Sequence, residues 1–248
     1  MQNLVTAAIL IIGDEILSGR TLDTNVQTIA KMLGERGIQV QEVRVVPDVI
    51  ETIVDTVNAL RKKFTYVFST GGIGPTHDDK TAEAMAKAFG TKLERNAEAW
   101  RRLVVHYAGE ENINAGRAKM ADIPVGAALI DNPVSTAPGF ILENVHVMAG
   151  VPKIMAAMLE GVLPKLQGGA VIHSRSVSAD VPESVIAGGL AAIEAKYAGI
   201  TVGSYPKFTP NQQPHTTIVV RGADEAAVEA AIREVGTLMQ GAGAVPQY

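Results

Sequence analysis

The run Phe68-Ser69-Thr70-Gly71-Gly72-Ile73-Gly74-Pro75-Thr76-His77-Asp78-Asp79-Lys80-Thr81 concentrates the groups in this chain that could do chemistry. Three glycines within four positions let the backbone adopt conformations closed to other residues and let a ligand come close to the amides. An anion such as a phosphate fits that description, and the hydroxyls of Ser69, Thr70 and Thr76 could donate to its oxygens. Asp78 and Asp79 would repel the same anion unless a hard divalent cation, magnesium or similar, stood between them. Asp79 is also placed to cap a helix running through Ala82, Met85 and Ala86 to Phe89. His77 reads equally well as a donor to phosphate and as a surface turn residue.

Other chemistries are excluded by composition and spacing. The glycines are followed by no Gly-Lys-Ser/Thr, so the loop is not a mononucleotide P-loop, and its position and spacing do not match a dinucleotide fingerprint. Five histidines, His77, His106, His146, His173 and His215, are scattered without metal-ligand spacing, which argues against a zinc hydrolase. No Gly-x-Ser-x-Gly elbow occurs. The absence of cysteine removes disulfides, thiolate metal sites and cysteine nucleophiles. With 22 Lys and Arg against 26 Asp and Glu, a net charge of -4, no global basic field points to nucleic acid. A small phosphorylated ligand is the expected partner.

The loop must be held by a sheet. Leu4 to Ile12 is a continuous apolar run without a preceding basic segment, which reads as a strand covered on both faces rather than a signal peptide. No run reaches membrane-spanning length, and a cytoplasmic protein without a membrane partner is expected. Gly13, Asp14 and Glu15 leave the carboxyl end of that strand, where open α/β sheets bind ligands, and Asp14 and Glu15 become site candidates. Asp23-Thr24-Asn25 supplies cap residues for a helix with Val26, Ile29, Ala30 and Leu33 on its apolar side. A strand over 38–46 follows, Pro47-Asp48 opens a helix with Ile50, Ile53, Val57 and Leu60 on one face, and a third strand over 66–69 delivers the glycine loop.

Further along, the pattern predicts a helix over 97–107, a short helix near Arg117 and Lys119, and a short strand over 128–130. A turn-rich loop follows from Asp131 to Gly139, then a hairpin over 140–148 around Glu143-Asn144. Ala149-Gly150-Val151-Pro152 is another loop at a strand end and leads into a helix with Ile154, Met155, Met158, Leu159 and Val162, a face assigned to the core. A linker over 164–169 separates a first domain, 1–166, from a second, 170–248. The second reads as β-α-β-β-α, with a strand over 170–177 and a featureless loop over 208–214.

Gly13-Asp14-Glu15-Ile16-Leu17-Ser18-Gly19 with Asp23-Thr24-Asn25, then Thr70-Gly71-Gly72-Ile73-Gly74-Pro75-Thr76-His77-Asp78-Asp79-Lys80-Thr81, resembles the molybdopterin-binding domain of the competence/damage-inducible protein A family. The tail, including Gly203-Ser204-Tyr205-Pro206, is similar to the small second domain of the same family. The fold this implies is a three-layer α/β/α domain with a mostly parallel sheet, shared with molybdopterin adenylyltransferases and with part of some eukaryotic FAD synthases, followed by a small α+β domain. By the resemblance, Asp48 and Asp79 match two acidic positions of the adenylyltransferase site, and Gly71, Gly72 and Gly74 match its phosphate-binding glycines. Asn132 to Gly139 matches a pocket-lining loop. Gly150 and Pro152 keep a turn in which Ala149 replaces the proline of many relatives.

The resemblance implies molybdopterin or a nucleotide as ligand and a homo-oligomer. Three activities are consistent with it: binding alone, divalent-metal-dependent hydrolysis of ADP-ribose-like or FAD-like dinucleotides, and adenylyl transfer onto molybdopterin. In the hydrolytic case Asp79 would hold the metal with Asp78 or Asp14 assisting. Longer family members carry a nicotinamide-nucleotide amidase domain after these two, and no such segment follows here, so deamidation is not expected.

Overall fold

The computed structural model describes residues 4–208 and 214–248. The chain divides into two compact units, Met1–Gly169 and Ala170–Tyr248.

In the first unit the elements run β1 (Val5–Ile12), α1 (Asp14–Leu17), α2 (Asn25–Gly34), β2 (Ile38–Val46), α3 (Ile50–Lys63), β3 (Tyr66–Thr70) and α4 (Thr81–Ala88). They continue with β4 (Leu93–Arg95), α5 (Ala97–His106), α6 (Ala115–Lys119), β5 (Asp122–Pro124), β6 (Ala128–Ile130), β7 (Gly139–Leu142), β8 (Val145–Met148) and α7 (Pro152–Val162). One six-stranded sheet has the order β2-β1-β3-β8-β7-β6. Strands β2, β1, β3 and β8 run parallel to one another, whereas β7 runs antiparallel to both β8 and β6.

Strand β1 shows how sequence alternation becomes layers. Its side chains point alternately to opposite faces. Ala8, Leu10 and Ile12 join a core with Val57 and Leu60 of α3, Met85 of α4 and Leu103 of α5. Ala7, Ile9 and Ile11 join another with Ile29 and Leu33 of α2 and Met155 and Leu159 of α7. Both faces are apolar because helices cover both, and the α/β/α three-layer architecture follows. The α7 side chains Met155, Met158, Leu159 and Val162 are buried in that second core.

Chain order also fixes where a ligand can sit. From β1 the chain crosses through α2 to β2 on one side, then through α3 on the opposite face to β3 on the other side of β1. The carboxyl ends of β1 and β3 therefore part at a switch point, the place where open α/β sheets form a crevice.

Some elements differ from the sequence expectation. Asp14–Leu17 forms one helical turn in a stretch read as loop, and β4 pairs with β5 in a two-stranded ribbon that the pattern did not reveal. Three-residue strands with the exposed sequence Leu-Glu-Arg carry too little alternation to signal themselves.

The second unit consists of β9 (His173–Ala179), α8 (Glu183–Lys196), β10 (Ile200–Phe208), β11 (Pro214–Gly222) and α9 (Glu225–Gly241). Its antiparallel sheet has the order β10-β11-β9, and Val177, Ile218 and Val220 pack with Ile186, Leu190, Val228, Ile232 and Val235 of the two helices. The first strand begins three residues later than expected. Of the loop expected over 208–214, residues 209–213 lie outside the described residues. No helix among the described residues is long and apolar enough to cross a membrane.

Candidate functional site

The crevice at the strand ends is a cleft of about 380 Å³. Most of its wall is made of loops that follow strands, completed by Met120 after α6 and Ile154 of α7.

The wall after β3 is the glycine loop. Gly71 and Gly72 have φ of 101° and 66°, and neither position tolerates a side chain. A Cβ on Gly71 would stand 2.0 Å from the Ile12 carbonyl oxygen, and one on Gly72 would stand 2.2 Å from Thr81 Oγ1. The loop is tied at both ends. The Gly71 amide donates to the Met148 carbonyl at 3.2 Å, the Thr81 amide donates to the Gly72 carbonyl at 2.9 Å, and the Thr81 hydroxyl donates to the Gly71 carbonyl at 2.9 Å.

Asp79 does not cap α4. Its carboxylate instead accepts from the Thr76 amide at 2.8 Å and the Thr76 hydroxyl at 2.6 Å, folding Thr76–Asp79 into a tight turn that lies on the cleft wall. The helix begins at Thr81 with Lys80 in the cap position, so Asp79 stands one residue too early to cap it, and no side chain does. Asp78 also converges on the Thr76 hydroxyl, and that hydrogen bond holds its carboxyl below the usual aspartate range. One hydroxyl hydrogen serves one acceptor at a time, so one of these two carboxylates always lacks it. Lys119 of α6 donates to the Thr76 carbonyl at 2.8 Å and braces the turn from outside the main cleft. His77 is exposed and does not line the cleft.

The wall after β2 holds Asp48, whose Oδ2 accepts the Asp14 amide at 3.0 Å. Partial burial raises its pKa, and the charges of Asp14, Glu15 and Asp78 push in the same direction against that hydrogen bond. From the β1 end, Gly13 and Glu15 line the cleft, while Asp14 contributes its amide to Asp48 and leaves an exposed side chain outside the lining. The placement differs from the reading of Asp14 as a cleft ligand, because the one-turn helix starting at Asp14 rotates that side chain away from Glu15.

Asn132 lines the cleft but its amide is committed to its own loop. Its oxygen accepts the Val134 and Ser135 amides at 3.1 and 3.0 Å, and its Nδ2 donates to Ser135 Oγ at 2.7 Å and to the Ala137 carbonyl at 2.8 Å. It shapes the wall. Gly139 is not at the cleft: it starts β7, and a Cβ there would stand 2.3 Å from the Val147 carbonyl oxygen of the neighbouring strand, so strand packing demands this glycine. Gly150 lines the cleft with its Cα against Gly71, where an added Cβ would lie 3.2 Å away. Thr70 and Pro152 line a smaller neighbouring cavity instead of the main cleft.

The cleft thus joins Gly13, Glu15, Asp48, Gly71, Gly72, Gly74, Thr76, Asp78, Asp79, Asn132 and Gly150. Four carboxylates and no Lys or Arg are among its lining residues. Among the described residues, no group of three or more His, Cys, Asp or Glu side chains is arranged to hold a metal by itself. The donor set is one of hard oxygens suited to a cation such as magnesium, which characteristically takes one or two carboxylates together with the phosphate oxygens of its ligand.

Residues 8–168 match the family described as "Probable molybdopterin binding domain". The chain belongs to that molybdopterin-binding-domain family. Residues 171–248 match the middle domain of FAD synthase. A protein of Caldivirga maquilingensis is 37% identical over 239 residues, covering 92% of this chain and 93% of its own length. A CinA-like protein of Citrifermentans bemidjiense is 42% identical over 169 residues, 65% of this chain and 40% of the relative. The crystal structure of the protein CinA with unknown function from Thermoplasma acidophilum has 35% identity and a TM-score of 0.62, covering 66% of this chain and 98% of that one. The molybdopterin-binding-like domain is the unit that carries the cleft.

Of its apolar lining, Ile73, Ala137 and Val151 lie in the loops the sequence singles out, whereas Ile12 and Ile154 fit a core pattern and nothing local marks Met120. The sequence marks Asn25 as a cap residue and as part of the motif Asp23-Thr24-Asn25, not as a cleft residue. The signal that could have found it is its spacing: with Ile29 and Leu33 it occupies the i, i+4, i+8 stripe that α2 buries, where a polar side chain needs a specific partner.

Proposed function

We propose that this domain binds the phosphate of a pterin or nucleotide on the Gly71–Gly74 loop, as a molybdopterin-binding-like protein. The observation that carries the reading is the pair Gly71 and Gly72, whose positive φ and lack of room for a Cβ hold a bare backbone open at the switch-point cleft. Membership in the molybdopterin-binding-domain family supports the pterin or its nucleotide as ligand. Titrating the protein calorimetrically with molybdopterin, AMP and FAD in the presence of magnesium tests the reading. Saturable binding of any of them is expected, and heat no greater than dilution for all three would remove it.

A second reading has its own observation. The carboxylates of Asp48, Asp78 and Asp79 share the cleft with the glycine loop, which suits metal-dependent hydrolysis of an ADP-ribose-like or FAD-like pyrophosphate. Asp78 and Asp79 are the residues that would hold a divalent cation together with the ligand's phosphates, and such a cation would supply charge neutralisation at the anhydride. The glycine backbone would hold the leaving phosphate, and Asp48, with its raised pKa, is a candidate to accept a proton from water. The match of the second unit to a FAD synthase domain supports a nucleotide-related substrate. Adenylyl transfer onto molybdopterin would use the same groups with an alcohol or phosphate nucleophile in place of water. AMP release from ADP-ribose or FAD with magnesium, manganese or cobalt distinguishes hydrolysis from binding alone.

A further inference from the structure

Beside the main cleft lies a cavity of about 60 Å³ that shares Glu15, Gly71 and Gly150 with it. Thr70 and Pro152 form part of its wall, and so does Asn25. Asn25 is buried, with 4% of its surface exposed. Its Nδ2 donates to the Gly150 carbonyl at 2.8 Å and reaches Thr70 Oγ1 at 3.4 Å. Its Oδ1 is enclosed and has no hydrogen-bond partner among the described residues. Turning the amide over would not help, because the oxygen would then face the Gly150 carbonyl. A buried acceptor without a protein donor is costly unless a ligand group or an ordered water supplies the hydrogen.

The lining combines the acceptors of Asn25, Glu15 and Asp23 with the hydroxyls of Thr21, Thr24 and Thr70. Asn25 Oδ1 and the Glu15 carboxylate call for O–H or N–H donors and disfavour a second phosphate. The size also discriminates: whole-ligand sites span about 300–1,000 Å³, so a cavity this small holds an appendage of a ligand seated next door. We propose that it is a subsite for the vicinal hydroxyls of a pentose whose phosphate lies on the glycine loop, with Asn25 Oδ1 and Glu15 as acceptors. The inference rests on the reading of the cleft as a phosphate site, and within it selects a nucleotide over a pterin lacking a sugar. Asn25 becomes a specificity-determining residue: its Nδ2 fixes Gly150 against Gly71, and its Oδ1 reads the sugar.

The test is calorimetric titration, in magnesium, of the full chain with AMP, 2′,3′-dideoxy-AMP and inorganic pyrophosphate. AMP is expected to bind about tenfold more tightly than the dideoxy analogue, the loss of a hydrogen bond to an otherwise unpaired buried acceptor. In Asn25→Ser, folding verified by circular dichroism, the two nucleotides are expected to bind alike. Equal affinities in the wild type with pyrophosphate still binding overturn the subsite and leave the cleft reading standing. Binding of none of the three overturns both. A preference for AMP that survives in folded Asn25→Ser overturns the assignment to Asn25, and the wild-type comparison decides the subsite whether or not that variant folds.

Discussion

The Thr81 side chain donates to the Gly71 carbonyl at 2.9 Å while its own amide donates to the Gly72 carbonyl, so the first residue of α4 closes the glycine loop onto the helix. Thr81 is fully buried, and its Oγ1 occupies the space a Gly72 side chain would need. The loop's open backbone and the helix start are therefore one construction. Thr81→Val keeps the volume and removes the donor. A loss of about 1–3 kcal/mol in unfolding free energy is expected, together with weaker ligand binding. Urea denaturation with paired titrations measures both, and unchanged stability and affinity would separate Thr81 from the loop.

Asp48 is expected to oppose stability at neutral pH. Its folded pKa is raised, chiefly by burial, so the folded state favours the protonated form and bears a cost whenever the carboxylate is charged. That cost is present above the folded pKa and disappears as pH falls through it toward the ordinary aspartate value of 3.8. Asp48→Asn keeps an oxygen for the Asp14 amide and should be more stable than wild type at pH 7, with the advantage shrinking in acid. Retained charge at a stability cost is expected of a functional group. A less stable Asp48→Asn at pH 7 would contradict the assignment.

His146 supplies a separate pH dependence within the core. It stacks on Phe68 with ring centroids 4.9 Å apart, and burial lowers its pKa from 6.5 to about 4. A histidine buried neutral stabilises fully above its unfolded pKa and loses that contribution as pH falls from 6.5 toward 4, about 3 kcal/mol over the window. Denaturation midpoints measured from pH 7 to 4.5 should fall more steeply in wild type than in His146→Leu. Parallel curves would show that His146 takes up its proton without unfolding.

The fold was legible where local pattern and tertiary demand agree. The alternation in β1 separates Leu10 from Ile11 onto two cores, and the glycine triplet after Phe68-Ser69-Thr70 marks a strand running into a ligand loop. Asp79, Asp14 and Gly139 were less legible, because each obeys a rule that several geometries satisfy. An Asp before a helix can cap it or turn back onto Thr76. A carboxylate after a strand can face the cleft, as Glu15 does, or solvent, as Asp14 does. A glycine near a pocket loop can serve the ligand or, as Gly139 does, a neighbouring strand. Contacts between residues distant in sequence decide these cases. The 109–127 segment shows the same: nothing local announces that Lys119 will brace Thr76 from 43 positions away.

If the cleft is hydrolytic, Asp79→Ala should lower kcat for AMP release by about 100-fold or more, the usual size of one essential electrostatic contact. Because the Asp79 carboxylate also holds the Thr76 turn, the comparison needs Asp79→Asn, which can still accept from the Thr76 amide while losing charge. Loss in both variants assigns the charge, and full activity in Asp79→Asn would reduce Asp79 to a turn residue.

The proposed phosphate site rests on the bare backbone at Gly72. The direct measurement is the Kd of a nucleotide, with magnesium, for wild type, Gly72→Val and Gly90→Val. Gly90 has a comparable φ of 64° but open space around it, so it carries the backbone strain without touching the cleft. Binding should be lost in folded Gly72→Val and retained in Gly90→Val; equal affinity in Gly72→Val and wild type would contradict the account.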